Sequence, residues 1–314
     1  AGCGATAGDH PIPDGGAADD LSAAAIADLA PPADLTPLPA STFLLTLDAG
    51  AYPPTAAHPS ALVYVPSHYD ATPPLSLIVY LHGFNNCVEN IVRDAGESCD
   101  PAAGTPVRHA YALAAQLEAS GKNALLLCPE IAFDQTTGAP GNLGLQGGFR
   151  ALLTETLADL APRIGAKTIA DVGMVVVASH SGGYQAAAGI AQRGGVPVEE
   201  IYLLDSLYGN FADYDAWVMS DLPSLAGSPP ARRFADVYTS GGGTLANSQA
   251  MADRAATWVG TDAGTLVDDR TTSTWPDATY RHGLLFKQSA LSHDGVPTYY
   301  FGKFVSTSGL PDRP

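Results

Sequence analysis

Hydrophobic and polar positions form two kinds of segment along most of the chain. Short apolar runs occur at Leu75–Leu81, Ala124–Pro129 and Val172–Ala178, and such runs are typical of buried strands in a parallel sheet. Phe149–Ile164 and Leu245–Val259 instead place apolar residues at helical spacing. The alternation predicts an α/β protein with a doubly wound, mostly parallel central sheet and helices on both faces.

Weaker patterns supply the remaining predicted elements. Further strands are expected at Thr42–Leu47, Ala61–Val65, Glu200–Asp205, Arg233–Ser240 and Leu284–Ala290, and further helices at Val107–Ala119, Tyr184–Arg193, Phe211–Met219 and Pro297–Val305. Short links join the first two strands, which are therefore expected to form an antiparallel edge. Residues 1–40 are rich in Ala, Pro, Asp and Gly, which predicts a flexible leader or tether before a single domain at 41–314.

The run Val172–Ala178 ends in Ser-His-Ser-Gly-Gly, with Ser181 at the centre, and a small-residue helix follows. A serine on a sharp turn between strand and helix is the setting of a nucleophile, because the turn exposes the hydroxyl at the carboxyl end of the sheet. Ser179 stands where the G-x-S-x-G pattern has its first glycine. His180 neighbours the serine but is expected to point elsewhere on the tight turn.

A nucleophilic serine needs a base and an acid that orients the base. His293 follows the last predicted strand, on a loop that opens at the same edge of the sheet as Ser181. Asp205 ends the strand directly after the Ser181 unit and is the predicted acid. Asp262, Asp268 and Asp269 are the alternatives for that role.

An acyl-transfer site also needs donors for the developing oxyanion. The N–H of Gly182 is the first candidate, and the second is the N–H of Phe84 in the His82-Gly83-Phe84 loop that follows a predicted strand. Tyr184, Tyr208 and Trp217 are candidates to line the substrate pocket with Phe84, and a small lid helix is expected around Trp217.

The chain has four cysteines, and their positions bear on the cellular compartment of the protein. Cys87 and Cys99 bracket a short loop and are predicted to form a disulfide, which implies an oxidising environment. The opening Ala-Gly-Cys3 resembles a lipoprotein terminus after cleavage, and a lipid on Cys3 would tether the chain to a membrane surface. The pairing of Cys3 and Cys128 stays open. No His/Cys cluster indicates a metal site.

The net charge of the chain and its motifs bear on which classes of ligand it binds. The net charge is −17, and the sequence has no Lys/Arg block, which argues against nucleic-acid binding. There is no G-x-G-x-x-G after a strand and no G-x-x-x-x-G-K-[ST], so nothing indicates a dinucleotide or a nucleoside triphosphate.

Leu81-His-Gly-Phe84, Ser179-His-Ser-Gly-Gly183 and Ser292-His293 together resemble the α/β-hydrolase superfamily over roughly residues 42–306. The resemblance implies a Ser-His-Asp hydrolase that forms an acyl-enzyme and uses no cofactor. It departs from the usual pattern at Ser179 and in placing the acid after the sixth strand, which is similar to pancreatic-type lipases. The His-Gly-Phe loop beside a disulfide is similar to secreted esterases and polyester depolymerases.

The leading expectation is an extracytoplasmic serine esterase, secreted or lipid-anchored, acting on an ester-containing small molecule, lipid or polyester. Two alternatives remain open. One is a serine peptidase or amidase with the same triad, and the other is an inactive hydrolase fold that serves as a surface binding module.

Overall fold

The computed structural model describes residues 41–53, 58–131, 138–260 and 264–314. The predicted leader, Cys3 and Asp262 lie outside these residues. The strands are β1 (Thr42–Leu45), β2 (Ala61–Tyr64), β3 (Leu75–Leu81), β4 (Leu125–Pro129), β5 (Val172–His180), β6 (Glu200–Leu204), β7 (Arg233–Thr239), β8 (Leu266–Asp269) and β9 (Leu284–Ser289). The helices are α1 (Val88–Val92), α2 (Leu113–Ser120), α3 (Gly148–Ile164), α4 (Tyr184–Arg193), α5 (Phe211–Met219), α6 (Leu245–Val259) and α7 (Gly295–Ser306).

The strands form one sheet in the order β1-β2-β4-β3-β5-β6-β7-β9-β8. β1 and β2 pair antiparallel with each other, and β2 pairs antiparallel with β4. The neighbours from β4 to β8 are parallel. The predicted fold class and the antiparallel edge are therefore confirmed, and β5 lies in the interior of the sheet.

Alternating residues of each central strand serve opposite faces, because side chains in a strand point to opposite sides with a period of two. Leu77 and Val79 of β3 pack in the core under α3, α4, α5 and α6. Ile78 and Tyr80 pack in the core under α1, α2 and α7. Helices cover both faces of the sheet, and for this reason the central strands are continuous apolar runs in the sequence.

Three details differ from the sequence-based expectations. The helix predicted from Val107 begins only at Leu113, because Ala112 adopts a left-handed φ of 53° that interrupts helical geometry. The short elements α1 and β8 were not predicted, since four or five residues carry too little periodicity.

Within the described residues, no helix has the length and apolar character needed to span a bilayer.

A lid helix around Trp217 is contradicted by the structure. Helix α5 packs on the sheet, and Trp217 is buried in the core against Phe234, with the guanidinium of Arg232 3.8 Å from its ring centroid. A large aromatic side chain gains more from burial than from exposure at a pocket rim. Trp217 is therefore a core residue and does not line the candidate site.

Candidate active site

Ser181 lies on the predicted turn between β5 and α4. Its φ of 49° is left-handed, a conformation that non-glycine residues rarely adopt and that has to be held by its surroundings. The neighbouring backbone is packed closely, since a Cβ on Gly83 would come within 2.8 Å of the Ser181 Cβ. Glycine at position 83 is what lets the two loops approach each other.

The serine that replaces the first glycine of the elbow has a structural role. The hydroxyl groups of Ser179 and Ser206 are 2.8 Å apart, and Ser206 Oγ donates to the carbonyl of Ser181 at 2.9 Å. Ser179 and Ser206 are both fully buried. The substitution thus adds a hydrogen-bonded link between the turn and the segment that follows β6.

Asp205 and His293 meet at the carboxyl edge of the sheet. Nδ1 of His293 is 2.7 Å from Oδ2 of Asp205, so the ring donates its Nδ1–H to the carboxylate and leaves Nε2 unprotonated in the neutral state. The Asp205 carboxylate is completely buried, whereas the His293 side chain is 31% exposed. His293 occupies the predicted loop between β9 and α7.

Asp205 has further donors on both oxygens. The N–H of Thr239 donates to Oδ1 at 3.0 Å and its hydroxyl to Oδ2 at 2.7 Å, and the Thr244 hydroxyl donates to Oδ1. Burial raises the pKa of this carboxyl, but the hydrogen bonds from His293, Thr244 and Thr239 outweigh burial and hold the pKa below its usual value. Asp205 is therefore ionised at neutral pH.

The two alternative acids within the described residues are engaged elsewhere. Asp269 accepts hydrogen bonds from Lys287 and Trp275, and Asp268 pairs with Arg270. Both lie on the edge strand β8. Neither contacts His293, which leaves Asp205 as its carboxylate partner.

Ser181 and His293 line one open pocket of about 380 Å³, which Gly83 and Phe84 also border.

Tyr208 lies close to both Ser181 and His293. Its ring centroid is 6.4 Å from that of His293, and its hydroxyl donates to the Gly242 carbonyl. Burial first, and then the charge of Asp205, raise the pKa of Tyr208 to about 12, while a side-chain contact with Ser181 lowers it. Tyr184 packs against Tyr208 at 6.0 Å.

The His82-Gly83-Phe84 loop is held from behind by a buried pair. His82 donates from Nδ1 to the carbonyl of Gly83 at 2.7 Å, and its Nε2 is 2.7 Å from Glu130 Oε1. Because a trans peptide directs its C=O and N–H oppositely, the N–H of Phe84 points away from His82. The Phe84 ring covers Gly182, where a Cβ would come within 2.2 Å of it.

His180 was expected to point away from the site, and this expectation is wrong. Its ring centroid is 4.4 Å from that of His293, and its Nε2 donates to the His293 carbonyl at 3.2 Å. The Tyr111 hydroxyl lies 3.0 Å from His180 Nδ1 and 3.1 Å from Asp294 Oδ1. Burial and the neighbouring His293 hold the pKa of His180 well below its usual value, so this imidazole is neutral.

Cys87 and Cys99 form a disulfide, as the sequence analysis expected, and Cys128 is buried with a free thiol. The disulfide closes a segment whose continuation, 107–111, borders the pocket. No sequence motif marks the other lining residues, so they were not predicted; they include Arg108, His109, Tyr111 and Asp294. Among the described residues, His58, Cys87 and Glu89 are spaced like metal ligands, but the disulfide leaves Cys87 without a thiolate.

The chain matches no protein-family model and no curated protein. Among solved structures it is similar to a serine-to-alanine mutant of the feruloyl esterase module from Clostridium thermocellum, complexed with sinapinate. The identity is 11%, the match covers 81% of this chain and 85% of the other, and the TM-score is 0.50. The acetyl xylan esterase from Aspergillus awamori has 14% identity, with 85% and 100% covered and a TM-score of 0.47. With the strand order described above, the chain has an α/β-hydrolase fold.

Proposed function

We propose that the chain is an extracytoplasmic serine hydrolase that cleaves carboxylic esters through an acyl-enzyme. The observation that carries this proposal is the buried, ionised Asp205 bound to His293, which shares a pocket with Ser181 on its strained turn. An isolated surface serine would need neither the left-handed backbone nor a histidine that is hydrogen-bonded to a buried, ionised aspartate. The combination is the arrangement expected of an activated nucleophile.

In the proposed reaction, Nε2 of His293 takes the proton of Ser181 as Oγ attacks the ester carbonyl. Asp205 keeps the Nδ1–H tautomer and stabilises the imidazolium that forms. The N–H groups of Phe84 and Gly182 donate to the oxyanion, the former directed by the hydrogen bond between His82 and the Gly83 carbonyl. His293 then protonates the leaving alcohol, and water releases the acid by the same steps in reverse.

The neutral state of His180 suits this mechanism. An imidazolium on His293 would be opposed by a second positive charge at a ring distance of 4.4 Å. Because the pKa of His180 lies well below its usual value, no such charge competes at neutral pH. The Nε2–H of His180 also donates to the carbonyl of His293, and this hydrogen bond fixes the loop that carries the base.

The extracytoplasmic location of the protein is also part of the proposal. The Cys87–Cys99 disulfide supports an oxidising compartment, because such bonds persist in secreted and periplasmic proteins and are rare in the cytosol. A lipid on Cys3 would add a membrane tether. Mass spectrometry of the protein isolated from its own cells would detect a lipid on Cys3, and an unmodified Cys3 would remove this part of the proposal.

A fluorophosphonate probe tests the central claim, with labelling read by intact mass and peptide mapping. We expect wild type to be labelled at Ser181 and Ser181→Ala to be unlabelled, with a loss of esterase activity of about 10⁴-fold or more. Ser179→Ala is the matched control and should still be labelled. A folded wild type that reacts at another residue, or not at all, would contradict the proposal. Matched ester and amide substrates then distinguish an esterase from a peptidase or amidase.

A further inference from the structure

The pocket beside Ser181 carries one arginine, one further histidine and one carboxylate besides His180 and His293. They are Arg108, His109 and Asp294. Asp294 already has neighbours, because its Oδ1 lies 3.1 Å from the Tyr111 hydroxyl and its Oδ2 lies 3.5 Å from His109 Nε2. The single carboxylate among the described lining residues is therefore engaged, and it does not neutralise Arg108.

Arg108 has no such partner. Its Nε is buried without a hydrogen bond, and no carboxylate of the described residues forms an ion pair with its guanidinium. The chain has 32 acidic and 15 basic residues, so carboxylates are not scarce. Arg193 and Arg254 each pair with one carboxylate, and Arg270 pairs with two. A partly desolvated guanidinium without an anion is unfavourable, and no described carboxylate supplies that anion, which favours an anionic ligand as the partner of Arg108.

The backbone that carries Arg108 is firmly held. The N–H of Arg108 donates to the Glu97 carbonyl at 2.9 Å, and the adjacent Val107 pairs with Ser98 in an antiparallel bridge. Ser98 precedes Cys99, whose disulfide to Cys87 fixes this segment to the start of α1. A charge on an anchored segment is preorganised for binding, so little conformational entropy is lost when a ligand arrives.

We propose that Arg108 recognises an anionic group of the substrate, so that the preferred substrates are esters carrying a carboxylate near the scissile bond. This inference rests on the proposed function, because it names the substrate class of the same site. The planar guanidinium matches a carboxylate with two parallel hydrogen bonds. Binding of the charged group in the pocket with Ser181 and His293 would hold the ester beside the nucleophile.

Two matched substrate pairs test the inference. In 4-acetoxybenzoate and its methyl ester the charge is present or absent on the alcohol side, and in monomethyl and dimethyl adipate on the acyl side. We expect wild type to have the higher kcat/KM for the anionic member of at least one pair. In Arg108→Gln the anionic-to-neutral ratio of kcat/KM should fall about 10- to 100-fold, and Arg108→Lys should fall between the two.

Arg281→Gln is the matched control, because Arg281 is exposed and precedes β9 at the opposite edge of the sheet. It should keep the wild-type ratio. Thermal unfolding checks that Arg108→Gln is folded. The inference is overturned if wild type does not prefer an anionic ester in either pair, or if Arg108→Gln leaves the ratio unchanged.

Failure of the proposed function would look different. If wild type hydrolyses none of the four esters, binding of 4-acetoxybenzoate and monomethyl adipate to Ser181→Ala is measured by calorimetry. Binding that the added Arg108→Gln change weakens about tenfold or more would support anion recognition without the reaction. Equal binding with and without Arg108, or no binding to either protein, would overturn the inference on Arg108 itself.

Discussion

Asp205 and Asp236 are both completely buried on neighbouring strands of one sheet, yet their pKa values move in opposite directions. Asp205 follows β6 and is bound by His293, Thr239 and Thr244. Asp236 lies within β7, and neither of its carboxylate oxygens has a hydrogen-bond partner among the described residues. Burial, with a smaller contribution from the charge of Asp205, raises the pKa of Asp236 to about 8 against the opposing effect of the nearby Ser248 hydroxyl.

Burial alone therefore does not decide whether an acid is charged. Removal from water disfavours the carboxylate at both positions, and only the donors around Asp205 compensate. Asp205 stays ionised because its place at the strand end allows side chains from three other segments to reach it. Asp236 lies inside the sheet, where its neighbours on the adjacent strands, Leu203 and Phe286, offer no donor.

The largest effect is expected from Asp205→Asn. An amide in this position cannot stabilise an imidazolium, and it favours the wrong tautomer of His293, so kcat/KM should fall about 10³- to 10⁴-fold. Steady-state kinetics on a neutral ester measure the loss. Asp159→Asn, an exposed change on α3, is the control and should retain most activity. Comparable losses in the two variants would show that Asp205 has no special relation to the base.

Asp236→Asn should raise stability and change activity little. The folded-state pKa of Asp236, about 8, lies above the unfolded value, so wild type loses stability as the pH rises from about 4 to about 8. The variant has no charge to bury and should lack this loss, which gives a gain on the order of a few kcal/mol at pH 7. Thermal melts between pH 4 and 9 measure it.

Asp159→Asn, an exposed change on α3, is the control for Asp236→Asn. It should leave the pH dependence of unfolding as in wild type. A melting temperature of Asp236→Asn that stays below that of wild type at pH 8 would contradict the burial argument. A gain that is equal at pH 4 and pH 8 would show that ionisation is not its cause.

A smaller effect is expected from Thr244→Val, which removes one donor from Asp205. The pKa of Asp205 is lowered in the folded state, so its stabilising contribution is present at neutral pH and is lost as the pH falls through that folded-state pKa. In Thr244→Val the folded-state pKa should rise, and acid unfolding should begin at a higher pH. Activity should fall about tenfold, the scale of one hydrogen bond to a charged group.

Unfolding and kinetics between pH 2 and 7 measure the Thr244→Val effect. Thr257→Val on the same helix is the control, because its hydroxyl donates only to the backbone of Arg254 among the described residues. An acid-unfolding midpoint that is identical in both variants would contradict the role of Thr244 in keeping Asp205 charged.

Much of the fold was predictable because strands and helices follow local patterns. The apolar run before Ser181 and the periodicity of α3 and α6 appear in the structure nearly residue for residue. The elements that were missed or misplaced, α1, β8 and the start of α2, are short or depend on one left-handed residue. Such details carry too few positions for a period to emerge.

The candidate site was predictable in part, because the turn, the strand ends and their order along the chain are local features. Asp205 and His293 were expected to meet since parallel strands end at one edge of the sheet. Trp217 was expected at the pocket because it lies in a short segment after Asp205 that could form a lid helix, and the structure buries it in the core. His180 was expected to point away, but packing turns its ring onto His293.

Local sequence patterns were sufficient to predict the α/β class, the strand–turn–helix around Ser181 and the positions of Asp205 and His293 at strand ends. These follow from residue type and spacing within a few residues of each site. The packed fold was needed to show that Asp205 is charged while Asp236 is not, that His180 contacts the base, and that Arg108 lines the pocket with no carboxylate partner among the described residues. Ionisation and pairing depend on neighbours distant in the chain, and folding alone brings those neighbours together.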